Sequence, residues 1–471
     1  MTTNLSTSLR KFYIPLILCV IFSCKKNEVR IEEDPLLTSD EFLIDAGGKG
    51  TDLVNDMFVD NNENIYLTGM TRYYPIGDSL HFGNKIVKSL GDEDAVIVKF
   101  DRYGNATWAK LIGSNGKEEG DVIAGDDQNN CYVAGVFGGQ TNFGNTILSP
   151  EANQLDMFLA KYDPDGKEIW VKQISGPGYE RPTSLLIDKV GNLFITGYFY
   201  QNAKFGTTTL TTPGPSFFLA KYTSNGSLFW VKSYGVNPFV SLYPNKLKSD
   251  RNDNLIITGA FEGLQSIGSY SIQSNGAQDV FTAKLDNNGV VQWVKTFGGT
   301  DYENCNSLAI DEANSIYIGG MFKQSISTGG FTINSTANSS DAFFAKLTSN
   351  GNVEWIKKAS GSGEESVQDM FIQKDTLYSV GYFNEDFTIE NRVVGANNWN
   401  AFITKHDLAG GLSGFVAMNL NNGIAKNIHI NESDYSIVTG YFSNSISLEN
   451  LSAGAWGGFD LFLLKKKLSF K

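Results

Sequence analysis

Seven near-copies of one pattern constrain this chain more than its length does. A glycine inside an apolar run recurs at Gly69, Gly135, Gly197, Gly259, Gly320, Gly381 and Gly440, at spacings of 59 to 66 residues. The lysine of a later run recurs at Lys99, Lys161, Lys221, Lys284, Lys346, Lys405 and Lys465. Trp108, Trp170, Trp230, Trp293 and Trp355 each stand nine residues after that lysine, and Phe415, ten residues after Lys405, takes the place in the sixth copy. A period of this length marks a chain that grows by repeating one supersecondary unit.

Each copy holds four short apolar runs, in the fifth Ser307 to Asp311, Ser315 to Phe322, Asp341 to Leu347 and Val353 to Lys357. Runs such as FFLAKY and DAFFAKL are apolar at consecutive positions, which suits a sheet covered on both faces, and no run has helical period. An Asn-Gly turn joins the last two runs of the fifth copy as a hairpin. The predicted fold is all-β: a seven-bladed β-propeller of four-stranded blades. Residues 42–47 match the fourth run without its Trp, and the chain ends on a third run at residues 460–465. The N-terminal strand therefore completes the last blade and closes the ring, covering two exposed edges at once.

The residues resemble a known family at this point. Asp188-Lys189-Val190-Gly191-Asn192 followed by Gly197, and Gly351 followed by Trp355, resemble the bacterial seven-bladed β-propeller repeat abbreviated SBBP, over residues 42–471. The sixth copy departs from it, having lost one residue and the turn aspartate between Ile372 and Gly381. The resemblance implies a propeller found on secreted or surface proteins and brings no catalytic residues.

Residues 1–23 look like a bacterial lipoprotein signal peptide. Arg10 and Lys11 precede an eleven-residue apolar run, and Ser23-Cys24 follows it; such a run is short for a membrane span. Cleavage before Cys24 leaves that cysteine lipidated, and residues 24–41 read as its acidic, unpatterned tether. Lys25 resembles the outer-membrane sorting pattern of Gram-negative bacteria. The expected address is an outer-membrane lipoprotein, facing the periplasm or the surface, monomeric, with the membrane as partner through Cys24. A net charge of −13 argues against nucleic acid. Cys131 and Cys305 lie three repeats apart and read as buried free thiols.

Asp60, Asp126, Asp188, Asp250 and Asp311 stand nine residues before the strand glycine, as openers of Asx-type turns. The recurring lysine is expected at the same rim, in an ion pair worth well under about 1 kcal/mol if exposed, so the Trp belt, not the charges, is expected to dominate stability. Glu118, Glu180, Glu303 and Glu365 stand eight residues before the turn position. They are expected near one channel mouth, where they either cap backbone amides of their own joints or serve a cation or acid–base chemistry. Trp399, Trp456, Tyr73, Tyr74, Tyr200 and Tyr243 fall outside the repeat, in long connections or joints expected to form a binding face. No metal set, cofactor fingerprint or catalytic triad can be assembled. The expected function is a non-catalytic binding or scaffold module for a glycan or an envelope protein. The alternative is a polysaccharide hydrolase or lyase using the four glutamates.

Overall fold

The computed structural model describes residues 36–470 except 152, 153, 236, 238, 337, 338 and 397. The predicted signal peptide, Cys24 and most of the tether lie outside the described residues. Every described regular element is a strand, and the strands form seven four-stranded antiparallel blades. The innermost strands are Thr51–Val59, Glu118–Gly125, Glu180–Ile187, Leu242–Ser249, Glu303–Ile310, Glu365–Gln373 and Gly423–Ile430. Their neighbours around the axis are one another, so they wall a central channel.

The two middle strands of each blade are buried end to end, as in Leu255–Phe261 and Asp279–Leu285. This is why their sequences run apolar without alternation. The ring closes as expected: Phe42–Gly47 pairs with Asp460–Lys466, Phe42 opposite Lys465 and Ala46 opposite Leu461. Cys131 and Cys305 are free and buried, and burial pushes their thiols up to about 12 and about 11.

The tryptophans act between blades. Trp108, Trp170 and Trp293 donate Nε1–H to Pro164, Ser224 and Ser349 O of the next blade at 3.0, 3.2 and 3.3 Å. Each indole also lies over the glycine of that blade's last turn, Gly166, Gly226 or Gly351. These glycines hold φ at +78°, +79° and +81°, where a Cβ is disfavoured. Each indole is half-buried, so Trp293→Ala is expected to cost about 2–4 kcal/mol in urea denaturation, at or below the range for fully buried aromatics. Trp293→Phe should recover most of it, missing only the Nε1 bond of about 1 kcal/mol.

The turn aspartates form the expected Asx turns: Asp126 Oδ1 accepts Gln128 N and Asn130 N, both at 3.0 Å. The lysine pairs form at the rim and are buried. Lys161 Nζ lies 3.1 Å from Asp126 and Lys284 Nζ 2.8 Å from Asp250, all four side chains at most 10% exposed. Burial raises the two carboxyls, yet bonds from Asn130 and Lys161, and from Lys284 and Asn254, hold them below the usual range.

The long connections between second and third strands are not open loops. Each contains a small hairpin, such as Asn202–Phe205 with Thr208–Thr211 or Phe387–Ile389 with Arg392–Val394. Several dock on the outer strand of the preceding blade, Ser175 opposite Lys204 and Gly361 opposite Phe387. The expected free-standing binding loops are thus largely consumed in latching neighbouring blades together.

Candidate functional site in the axial channel

Every innermost strand carries a bulge, and the skipped residues are Asn55, Asp121, Thr183, Asn245, Asn306, Gln368 and Lys426. A bulge bends its strand and re-aims one side chain. All seven line one polar cavity of about 240 Å³ on the axis. A second cavity of about 320 Å³ follows it, lined by Asp56, Lys246, Asp369 and His429 among apolar groups such as Phe58 and Phe371.

The ring is laced to itself. Asn55 Nδ2 donates to Glu119 Oε1 and Gly120 O, both at 3.0 Å, and Asn245 Nδ2 to Cys305 O at 2.7 Å. Burial pushes Lys246 down, but Asp56 and Asp369 more than restore its charge. Lys426 is lowered by burial and by Lys246. Arg181 reaches across a junction to Glu119 at 2.5 Å and to Asp121. Burial, then the charge of Glu119 set against that of Arg181, leaves the Asp121 carboxyl up at about 8.

A group of half-exposed tyrosines adjoins Arg181. Its Nη1 donates to Tyr179 OH at 3.3 Å. Tyr198 lies 6.0 Å from Tyr179, 6.3 Å from Tyr200 and 5.0 Å from Tyr243 between ring centroids. The Tyr200 and Tyr243 hydroxyls are 2.8 Å apart. Rings in edge contact, polar tips and a guanidinium beside them suit a ligand with both an apolar face and hydroxyls.

Of the sequence candidates, Tyr200 and Tyr243 come together here. Trp399 packs at 5.1 Å on Tyr382 of its own blade. Trp456, 58% exposed, stacks on His81 at 5.1 Å and donates Nε1–H to Asp45 at 2.6 Å. Tyr73 is exposed, with the Arg72 guanidinium 5.8 Å from its ring centroid. Tyr74 is buried with its hydroxyl donated to Asp52 Oδ2 at 2.6 Å, so it presents no binding face. Tyr179, Tyr198 and Arg181 belong to the group without standing out in the sequence. The available signal was the tyrosine after the strand glycine, repeated at Tyr382 and Tyr441.

The four glutamates do not converge on the channel. Each opens an innermost strand at 0% exposure and turns into the preceding blade. Glu118 accepts Ser114 N at 2.8 Å and Ser114 Oγ–H at 2.6 Å, and Glu303 accepts Gly299 N at 2.9 Å. Burial pushes Glu180 and Glu303 up to about 8 and Glu365 to about 9, with Asp156, Asp279 and Asp341 adding to it. The reason is the bulge: the residue that faces the axis lies three positions later.

Residues 169–198 match the family model described as Beta-propeller repeat, SBBP. The chain is 24% identical over 488 residues to a WD repeat-containing protein of Acanthamoeba polyphaga mimivirus, covering 82% of this chain and 35% of that one. It is 20% identical over 361 residues to the regulatory protein FlaEY of Caulobacter vibrioides, covering 67% and 37%. The chain thus spans about a third of the length of either relative. Among solved structures it is similar to an ulvan lyase, at TM-score 0.46 and 10% identity over 91% of this chain and 96% of that one. An α-L-arabinofuranosidase from Fusarium graminearum follows at 0.39 and 10%, over 73% and 93%. On its own strand order and the repeat match, the chain is a seven-bladed β-propeller carrying an SBBP repeat.

Proposed function

We propose that this protein is a lipid-anchored envelope β-propeller that binds a glycan, or the glycan-like face of an envelope partner, at the channel mouth beside Arg181. The observation that carries the reading is the tyrosine group of Tyr179, Tyr198, Tyr200 and Tyr243. It stands half-exposed beside Arg181, whose ion-pair partner Asp121 lines the polar axial cavity. Tyrosine rings supply contact area at low entropic cost, and the neighbouring amides supply hydrogen bonds. The rival polysaccharide hydrolase or lyase needs an acid and a base that substrate reaches. Glu118, Glu180, Glu303 and Glu365 are sealed from solvent, which weighs against it.

The test is a glycan array and an envelope pull-down with the purified protein, with product analysis on every hit. Tyr243→Ala should weaken binding about tenfold or more at unchanged melting temperature, with no product formed. Turnover of a bound glycan would overturn the module reading. In the same cells, Cys24→Ser should move the protein from the membrane to the soluble fraction; unchanged membrane association would sink the lipid anchor.

A further inference from the structure

Five blade junctions bury two carboxyl side chains each, one at the start of the third strand of a blade and one at the start of the innermost strand of the next. The pairs are Asp94 with Glu118, Asp156 with Glu180, Asp279 with Glu303, Asp341 with Glu365 and Asp460 with Asp52, all at most 1% exposed. The members of each pair feel one another's charge. The aspartates spend one oxygen on a local amide, as when Asp156 Oδ2 accepts Glu151 N at 2.9 Å and Asp279 Oδ2 accepts Asn275 N at 3.1 Å. Among the described residues, their Oδ1 atoms find no hydrogen-bond partner in any of the five pairs.

Three junctions have an internal remedy. Glu118 is held by Ser114 and by Thr141 Oγ1–H at 3.2 Å, Asp341 by Lys358 at 3.0 Å, and Asp52 by Tyr74 and by Gly48 N at 2.9 Å. Two do not. Among the described residues, Glu180 leaves both oxygens unpartnered and Glu303 leaves Oε1. Among the described residues no lysine, arginine or histidine pairs with either couple, and Lys204, whose charge reaches Asp156, is paired with Glu151 at 2.9 Å. Glu151 and Asp301 add further negative charge to Glu180 and Glu303 respectively.

Glycines admit further oxygens to both places. A Cβ on Gly176 would collide with Glu180 Oε1 and with Asn202 O, a carbonyl at the start of the docking hairpin. At the other junction Gly299 N donates to Glu303 Oε2 at 2.9 Å, and a Cβ there would collide with the equivalent hairpin carbonyl, Ser325 O. Like charges sealed together need a counter-charge. Orphaned carboxylate oxygens with carbonyls nearby and no nitrogen or sulfur donor make a hard-cation set.

We propose that the Asp156–Glu180 and Asp279–Glu303 junctions each bind a divalent cation of the calcium class, which ties one blade to the next. The two carboxylates balance its charge, and carbonyl and water oxygens complete the shell. Among the described residues no group of three or more His, Cys, Asp and Glu side chains converges. The affinity expected is therefore that of extracellular calcium modules, Kd about 10⁻⁴–10⁻³ M.

The experiment is thermal unfolding of the full chain at about pH 8.5 in about 2 mM calcium and in EDTA, with calorimetric titration of calcium alongside. Calcium should raise the melting temperature by about 1–4 °C, with one equivalent bound per junction. The shift should shrink at about pH 6, because protons compete for carboxyls whose pKa burial has raised. Glu180→Gln and Glu303→Gln should each remove one equivalent. Equal melting in calcium and EDTA with no binding heat would overturn the proposal, leaving a shared proton in each pair. Binding that survives in full in both variants would overturn it as well. Should neither variant accumulate, the wild-type titration decides alone.

Discussion

A chain lacking residues 42–47 is expected to lose the closed ring rather than to fray at one end. Phe42, Ile44 and Ala46 are 4%, 6% and 0% exposed, and their strand is the outer strand of the seventh blade. Their deletion bares the edge of residues 460–466 and uncovers Leu461 and Leu463, members of the same apolar cluster. Two further contacts go with it. Phe42 and Ile44 lie over Gly104 of the first blade, in the place that a Trp fills at other junctions. The hairpin Ser79–Phe82 with Lys85–Lys88 loses its register partners Ala46 and Gly47. Burial of about 1.5–3 kcal/mol for each large side chain and about 1 kcal/mol per lost ladder bond together reach the order of a domain's whole margin of about 5–15 kcal/mol. Urea denaturation of the deletion should show a midpoint near zero or no cooperative transition. A deletion of residues 25–36 should leave the midpoint unchanged. Extending it through 38 should cost about 1–2 kcal/mol, because Leu37 N donates to Asn105 Oδ1 at 2.6 Å and Leu37 O accepts from Asn105 Nδ2 at 2.9 Å. A six-residue deletion that keeps the wild-type midpoint would refute ring closure as the organising contact.

The ring was legible because its marks repeat in residue type. Strand glycine, rim lysine and outer-strand Trp mark seven blades, and the unpaired run at residues 42–47 marks the closure. The axial site was not legible, because the bulge that builds it carries no fixed residue. The skipped position is Asn, Asp, Thr, Gln or Lys according to the blade. A bulge also shifts the side-chain phase by one, so counting from the strand start sends Glu118 and its counterparts toward the channel when they belong to the blade junctions. The hairpins in the long connections escape the sequence for another reason. Strands of four residues such as Asn202–Phe205 are too short to establish a period. Tyr198 and Tyr243, in blades three and four, needed the fold before they became neighbours.

Gly259→Ala is expected to be among the most damaging single methyl additions available in this protein. Gly259 lies opposite Pro244, immediately before the bulge that aims Asn245 at the axis. A Cβ there would collide with Tyr243 O and stand 2.8 Å from Pro244 Cα and 2.9 Å from Phe281 Cε1. Backbone on one side and a fully buried ring on the other leave nothing flexible to yield. The same collision recurs at Gly69, Gly135, Gly197, Gly320, Gly381 and Gly440, each against the carbonyl just before its own bulge. The repeated glycine is therefore the space that the bulge requires, which is why it sits mid-strand where glycine is otherwise unfavourable. Overpacking of this kind costs roughly 3–5 kcal/mol when the backbone itself has to move. A matched control separates crowding from backbone conformation. Gly206 is at a hairpin tip with φ +63°, and no atom lies within 4 Å of where its Cβ would stand, so Gly206→Ala carries only the left-handed cost of about 1–2 kcal/mol. Urea denaturation of the two variants should give stabilities that differ by about 1–4 kcal/mol, Gly259→Ala being the less stable. The displaced Tyr243 backbone should also weaken ligand binding in whatever Gly259→Ala protein remains folded. Equal midpoints for the two variants would mean that the bulge relaxes freely, and that the channel ring is less rigid than its interlaced amides imply.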